Sequence, residues 1–188
     1  MTTSNHRPYT YPNNRIDIPS HSGRAGGVKY TDFAIKEFIE KAKKKPWFKD
    51  TIFVILADHN GGSSGKNTLP TWRYKIPLIV YVPYIIKPQV IHKLSSQIDL
   101  MPTLMGILNF SYKSMFYGND ILKANFKERA FIGNYQKLGL LRDNKLTVLL
   151  PNKTVKEFHI EKQTLKSVEY KDKCQTIINV IFNNIQKV

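Results

Sequence analysis

Two continuous apolar runs lie in the middle of the chain and predict its main sheet. In residues 51–57 every side chain is apolar or β-branched, and Asp58, His59 and a loop rich in Gly and Ser follow at once. A run of this length that ends in a glycine-rich loop predicts a strand buried on both faces. Residues 76–82 form a second run of this kind and predict a second buried strand.

Helices are predicted where apolar residues recur at three- and four-residue spacing. The pattern covers residues 28–44, residues 97–108 and about residues 171–186. Asp99 suits the first turn of the second helix, where a carboxylate caps free backbone N–H groups. A helix followed by a fully apolar strand is typical of a βαβ unit, so the first helix and the strand after it predict an α/β domain.

After Lys123 the pattern changes to a series of short strands. Asp143-Asn144 and Pro151-Asn152 are turn signals that separate the last three strands, which predicts an antiparallel meander. The predicted fold is therefore α/β, with a mixed sheet and flanking helices in residues 1–125, then antiparallel strands and a C-terminal helix in residues 126–188. The predicted short strands are residues 90–94, 129–135, 139–142, 145–150 and 155–160.

Composition and charge indicate a globular basic protein. The chain has 188 residues, 41% of them hydrophobic, which is enough for one domain with its own core. Its formal net charge is +15, which favours anionic partners such as nucleic acid, anionic lipid headgroups or phosphorylated substrates. The alternative is that the lysines simply cover solvated faces. Only Lys43-Lys44-Lys45 forms a run, so no specific nucleic-acid site is predicted.

Neither a membrane span nor an export signal is predicted in this sequence. No apolar run approaches the roughly 18 residues that cross a bilayer. The first residues, MTTSNHRPYTYP, lack the charged and apolar regions of a signal peptide. The single cysteine, Cys174, excludes an internal disulfide and lies at helical spacing with isoleucines, as a core residue would. We therefore expect a soluble chain.

Asp58 and His59 are the first candidate for chemistry. They follow the predicted strand directly, and ligands of α/β sheets bind at the carboxyl ends of the strands. A carboxylate beside an imidazole is a plausible part of a divalent-metal site. Two adjacent ligands cannot hold a metal alone, so others must come from elsewhere. The alternative is a hydrogen-bonded pair at the end of a strand, without a metal.

The first 27 residues form the second candidate. This segment is irregular and long, and loops of that length are usually functional or disordered. Its basic side chains can meet an anion, whereas the alternative is an ordinary solvated arm. These basic side chains are His6, Arg7, Arg15, His21 and Arg24.

Five segments, taken in order, resemble one family. They are TSNHRPYTYP, the helix GGVKYTDFAIKEFI, the strand TIFVILADH, the segment YKIPLIVYVP and the helix SQIDLMPTLMGIL. Together they resemble the sulfatase-like branch of the alkaline phosphatase superfamily, and within it the lipoteichoic acid synthase, or phosphoglycerol transferase, type. ADH alone is a weak signal, but ADH at the end of an apolar strand with the later segments at this spacing is a strong one. The resemblance covers residues 1 to about 135.

The resemblance implies metal-dependent transfer of a charged group. In that family a divalent ion lies at the carboxyl edge of the sheet, manganese or magnesium in the synthases and zinc or calcium in relatives. A Thr, Ser or modified Cys attacks phosphorus or sulfur, and the covalent intermediate passes the group to an acceptor or to water. The implied substrates are phosphodiester headgroups, with phosphoglycerol or phosphoethanolamine transfer, on an anionic phospholipid or another phosphorylated molecule.

The resemblance also implies roles for single residues. Asp58 and His59 match two metal ligands of the family. His6 matches the histidine of the TSxHxPY segment, which faces the substrate phosphate, and Arg7 and Lys66 are further candidates for holding the anion.

The nucleophile and an acidic ligand of that family lie upstream of the TSxHxPY segment. No Thr or Ser of this sequence has a context that matches the nucleophile, so we expect the C-terminal half of an alkaline-phosphatase-like catalytic domain. The relatives imply a location at the extracytoplasmic face of a bacterial membrane. The alternative is a non-catalytic remnant, or a partner subunit that needs a separate N-terminal half.

Overall fold

The structure is a computed structural model, and it forms two compact units. It describes residues 3–61, 69–151 and 154–160. The first unit contains described residues 3–55 and 79–89, and the second contains described residues 56–61, 69–78, 90–151 and 154–160. The predicted helix at 171–186, with Cys174, lies outside the described residues. The division at residues 125 and 126 stays a prediction.

The first unit is built on one long helix. Helix α1 covers Arg24–Ala42 and confirms the predicted helix, although it begins earlier, after Gly23 with its positive φ of 111°. Glycine permits that conformation without the strain that a Cβ would cause. A short 3-10 helix at Pro46–Asp50 then leads into strand β1, Phe53–Leu56, which pairs with strand β2, Leu78–Tyr81.

Among the described residues, strand β1 is buried on one face only, which differs from the predicted burial on both faces. Phe53 packs into a core with Ile39, Ala42 and Phe48. Val54, which points to the opposite face of the strand, is 37% exposed. An apolar run indicates that a strand can be buried on both faces. Whether each face of the strand is buried depends on which elements pack against it. The described elements pack on the face that carries Phe53.

The second unit contains a helix that begins in a capping box. A 3-10 turn at Gln97–Asp99 continues into helix α2, Leu100–Ile107, as the sequence predicted. Ser96 and Asp99 satisfy each other's backbone N–H groups through their side chains, which confirms Asp99 as a cap. Residues 90–94, predicted as a strand, are irregular.

The antiparallel meander was predicted correctly. Its strands are β3, Ala130–Asn134; β4, Lys137–Arg142; β5, Lys145–Leu149; and β6, Val155–His159. They pair in sequence order, each antiparallel to the next. Asp143 and Asn144 have φ values of 49° and 59°, the positive values that a tight hairpin between β4 and β5 requires. The core of the meander contains Leu69, Ile132, Leu146 and Val148.

The observed elements confirm the α/β class. In the described part of the chain, none of the helices combines the length and the apolar character that crossing a bilayer would require.

Candidate functional site

The residues after β1 place a carboxylate and an imidazole side by side. The backbone N–H of His59 donates to Asp58 Oδ1 at 3.0 Å, and His59 Nε2 lies 3.6 Å from Asp58 Oδ2. Both side chains are largely exposed, Asp58 at 70% and His59 at 63%. The structure therefore brings together the two residues that the sequence predicted as metal ligands and leaves their side chains open to solvent.

The ring of His59 is oriented by a backbone carbonyl. Its Nδ1 lies 3.1 Å from the carbonyl oxygen of Asn60. A carbonyl oxygen only accepts hydrogen bonds, so the tautomer with its proton on Nδ1 satisfies this contact and leaves the lone pair on Nε2. Metal-binding histidines commonly donate their second ring N–H to a carbonyl or carboxylate in this way. The nitrogen that lies beside the Asp58 carboxylate is thus the one available to a metal.

The pair fits part of a divalent-metal site. Carboxylate oxygen and imidazole nitrogen are established ligands of zinc and of other divalent ions. Across residues 3–61, 69–151 and 154–160, His, Cys, Asp and Glu form no group of three or more that could hold a metal ion. Asp58 and His59 are therefore two suitable donors, fewer than the four that a tetrahedral zinc site uses.

The backbone at this pair is held by side chains that the sequence analysis did not single out. Gln97 Nε2 donates to the carbonyl oxygens of Ala57 and Asp58, at 3.2 and 2.9 Å. Asn60 Nδ2 donates to the carbonyl of Lys75 at 3.3 Å. These bonds join positions far apart in sequence and end on backbone atoms, so no residue pattern signals them.

Asp99, two residues after Gln97 in the sequence, forms a buried ion pair with Arg129. Asp99 is 1% exposed, and its carboxylate binds both terminal nitrogens of Arg129, at 2.8 and 2.7 Å. It also accepts the backbone N–H groups of Ser96 and Asn119, at 2.9 and 2.8 Å. Burial alone would raise the pKa of Asp99, but these hydrogen bonds, that of Arg129 first, outweigh burial and lower it.

His6 and Arg7 lie in the first unit, in a segment that is tied to helix α1. Ser4 Oγ lies 3.1 Å from Thr31 Oγ1, and Asn5 Nδ2 donates to the same oxygen at 3.0 Å. The chain then turns back, because the N–H of Tyr9 donates to the carbonyl of His6 at 2.6 Å. The residues that precede His6 in the TSxHxPY segment thus attach it to the helix, while His6 and Arg7 stay exposed.

Arg7 contacts a tyrosine rather than solvent alone. Arg7 and Arg24 both hydrogen-bond the phenol of Tyr9. The hydrogen bond of Arg7 is the first cause, and that of Arg24 the second, of a Tyr9 pKa below its ordinary value. Two guanidinium groups at one oxygen create a local positive site, which is the environment that an anionic ligand needs.

The rest of the N-terminal segment is folded, so the picture of a simple solvated arm is wrong for it. Tyr11 is buried, stacks on Tyr30 at 5.0 Å between ring centroids, and donates its hydroxyl to the carbonyl of Pro19 at 2.8 Å. Asp17 forms an ion pair with Lys29 of α1. Lys66, the remaining predicted anion contact, lies outside the described residues.

The comparisons with known proteins agree with the sequence motifs. The family profile named Sulfatase matches residues 1–110. The lipoteichoic acid synthase-like protein YvgJ of Bacillus subtilis is 29% identical over 124 residues, 57% of this chain and 20% of that protein. Lipoteichoic acid synthase 2 of the same organism is 25% identical over 152 residues, which are 68% of this chain and 23% of the synthase.

A solved structure shows the same relationship in three dimensions. A protein in the alkaline phosphatase superfamily from Vibrio parahaemolyticus matches this chain with a TM-score of 0.77 and 31% identity, over 98% of this chain and 48% of that one. The chain belongs to the sulfatase family, in the alkaline phosphatase superfamily. Its relatives include lipoteichoic acid synthases, and it spans between a fifth and a quarter of the length of those described here, 20% and 23%.

Proposed function

We propose that this chain contributes metal and substrate ligands to a divalent-metal-dependent transferase or hydrolase that acts on phosphodiester headgroups. Asp58 and His59 are the proposed metal ligands. His6, Arg7 and Lys66 are the proposed contacts to the anionic part of the substrate. Phosphoglycerol or phosphoethanolamine is the proposed transferred group, because the chain is similar to lipoteichoic acid synthases.

The arrangement of His59 is the single observation that carries the proposal. Its Nδ1 is held by the carbonyl of Asn60, and its Nε2 lies beside the carboxylate of Asp58. Both side chains are largely exposed, so a metal ion has access to them. A carboxylate and a lone-pair nitrogen at this distance are what a metal with mixed oxygen and nitrogen ligands requires.

Each proposed ligand, taken by itself, offers chemistry that suits a phosphorylated substrate. A divalent ion at Asp58 and His59, manganese or magnesium by analogy with the synthases, would polarise a phosphoryl oxygen. Arg7 offers a planar guanidinium that can meet two phosphoryl oxygens at once. His6, exposed next to it, offers a ring N–H to the same anion. The +15 charge of the chain favours the approach of such a substrate.

The number of donors supports a second form of the proposal. Two ligands are too few for a closed site, so the remaining ligands and the nucleophile would come from residues outside those described. In this second form of the proposal, the chain is non-catalytic by itself, and a further segment must complete the site before any reaction can occur.

Manganese binding tests the proposal directly. Mn²⁺ would be titrated into the 188-residue chain, with free Mn²⁺ followed by electron paramagnetic resonance. We expect Asp58→Asn and His59→Ala to weaken binding by at least about tenfold, because even residues that only support a metal ligand commonly cost that much. Asp143→Asn is the matched control, since Asp143 is 80% exposed and loses the same charge.

The same variants separate the two forms of the proposal. Hydrolysis of a simple aryl phosphodiester that needs Mn²⁺ and disappears in Asp58→Asn would show that this chain is sufficient for catalysis. Metal binding that depends on Asp58 without turnover would favour the second form. Equal Mn²⁺ affinity in Asp58→Asn and Asp143→Asn would contradict the assignment of the metal ligands.

A further inference from the structure

Gln97 contacts the candidate metal pair from a distant part of the chain. Its side-chain Nε2 donates to two consecutive carbonyl oxygens, Ala57 at 3.2 Å and Asp58 at 2.9 Å. The residues that these bonds join are 40 and 39 positions apart in sequence. Holding two consecutive carbonyls fixes the peptide units on both sides of the Asp58 Cα. The direction in which the Asp58 side chain leaves the backbone is therefore set by Gln97.

The backbone that carries Gln97 is itself held firmly. It lies in the turn between Ser96 and Asp99, where the two side chains form a capping box. The hydroxyl of Ser96 accepts the N–H of Phe131 at 2.8 Å, which joins this turn to strand β3. The buried carboxylate of Asp99 accepts two hydrogen bonds from Arg129, so the turn cannot shift without breaking a desolvated ion pair.

The exposure of the metal pair makes such support necessary. Asp58 and His59 are mostly in solvent, so little packing holds their side chains. A ligand that must be ordered on binding loses affinity through the entropy of ordering, whereas one that is already held in place does not. Loss of a residue that orients a metal ligand without contacting the metal accordingly weakens metal binding by roughly 10–100-fold.

We propose that Gln97 is a positioning residue for the metal site, and that the Ser96–Asp99 turn, held by Arg129 and β3, keeps its amide on the carbonyls of Ala57 and Asp58. The inference rests on the proposed function, because it assumes a metal at Asp58 and His59. It assigns Gln97 no contact with the metal or the substrate.

Two substitutions of Gln97 separate positioning from charge. Gln97→Glu keeps the shape of the side chain but cannot donate, and its oxygens would face the two carbonyl oxygens. Gln97→Ala removes the side chain. Positioning requires that both variants weaken Mn²⁺ binding, by about tenfold on the usual scale for such residues. If charge alone mattered, the added carboxylate of Gln97→Glu would tighten binding. Gln89→Ala, at another exposed glutamine, is the control.

A second measurement needs no metal. In the metal-free chain, amide hydrogen exchange at Ala57 and His59, whose N–H groups donate to the Pro77 carbonyl and to the Asp58 carboxylate, reports how often this segment opens. The midpoint of urea unfolding reports overall stability. We expect both Gln97 variants to speed exchange at these two amides severalfold while the unfolding midpoint stays close to that of Gln89→Ala. Unchanged exchange at Ala57 and His59 would overturn the inference.

The outcomes distinguish this inference from the proposed function on which it rests. Mn²⁺ binding that survives Asp58→Asn would overturn the proposed function. Binding that is lost in Asp58→Asn but is unchanged in Gln97→Ala and Gln97→Glu would overturn only the positioning role. Tighter binding in Gln97→Glu would also overturn it, in favour of a purely electrostatic effect.

Discussion

Arg129 binds the carboxylate of Asp99 through both of its terminal nitrogens, at 2.8 and 2.7 Å, across 30 residues of sequence. The Asp99 side chain is 1% exposed and that of Arg129 is 13% exposed. The pair connects the start of helix α2 with the residue that precedes strand β3. It thereby fixes the turn that also carries Gln97. The side chain of Gln97 donates hydrogen bonds to the carbonyl oxygens of Ala57 and of Asp58, which belongs to the candidate metal pair.

Removal of one partner of this pair should destabilise the chain strongly. Asp99→Ala leaves the guanidinium of Arg129 partly buried without its counter-charge and deprives two backbone N–H groups of their acceptor. Breaking a buried pair in this way commonly costs about 3–5 kcal/mol. Unfolding in urea would measure the change in free energy, and Arg129→Met with the double variant would complete a thermodynamic cycle.

An exposed ion pair provides the control for that cycle. Arg142 and Asp143 lie 3.2 Å apart, but their side chains are 54% and 80% exposed. Solvent screens such pairs, and their contribution is typically below about 1 kcal/mol. Equal losses of unfolding free energy in Asp99→Ala and Arg142→Ala would mean that the buried Asp99–Arg129 pair stabilises the fold no more than an exposed pair does.

The loop that faces the same turn should tolerate no side chain at Gly118. A Cβ at Gly118 would collide with the carbonyl oxygen of Ile98 and lie 2.8 Å from the amide nitrogen of Asp99. Backbone atoms cannot rotate away, so Gly118→Ala must displace the loop and weaken the bond from the Asn119 N–H to Asp99. Overpacking of this kind commonly costs about 1–3 kcal/mol. Urea unfolding would measure the loss.

Gly133 is the comparison for that substitution. A Cβ there would lie 3.2 Å from the carbonyl oxygen of Lys137, a tighter contact than usual but without a collision. We expect a smaller loss in Gly133→Ala. An equal or larger loss there would show that the close approach at Gly118 does not govern the effect.

Tyr9 should ionise at a lower pH than an ordinary tyrosine does. Hydrogen bonds from Arg7 and then Arg24 lower its pKa, because both guanidinium groups favour the charged phenolate. In an ultraviolet difference titration, Tyr9→Phe should remove a group that ionises below the ordinary value of about 10. Arg7→Ala should move the ionisation of Tyr9 back towards that value.

Tyr9→Phe also supplies the control for a phosphate titration, because no phenol then remains beside Arg7 for phosphate to affect. Inorganic phosphate that competes for Arg7 should raise the apparent pKa of Tyr9, because the phenolate then loses its strongest partner. A Tyr9 signal at the ordinary value in the wild-type chain would contradict the contact.

The candidate metal pair could be predicted from the sequence because its two members are adjacent and follow an apolar strand. Their surroundings could not be predicted in the same way. Gln97 bonds to carbonyl oxygens, which every residue has, so no residue pattern marks its partners. Asp99 was predicted as a cap from local sequence, but its pairing with Arg129 depends on where strand β3 lies after folding.

Apart from residues 90–94, the sequence by itself determined the order and type of the described helices and strands, and the position of the meander turn at Asp143-Asn144, because periodicity and turn chemistry are local properties of the chain. Only the tertiary structure decided that β1 buries Phe53 but exposes Val54, and that Arg129 and Gln97 support the residues around Asp58. Burial and long-range hydrogen bonds depend on which surfaces meet in the folded chain, and local patterns do not contain that information.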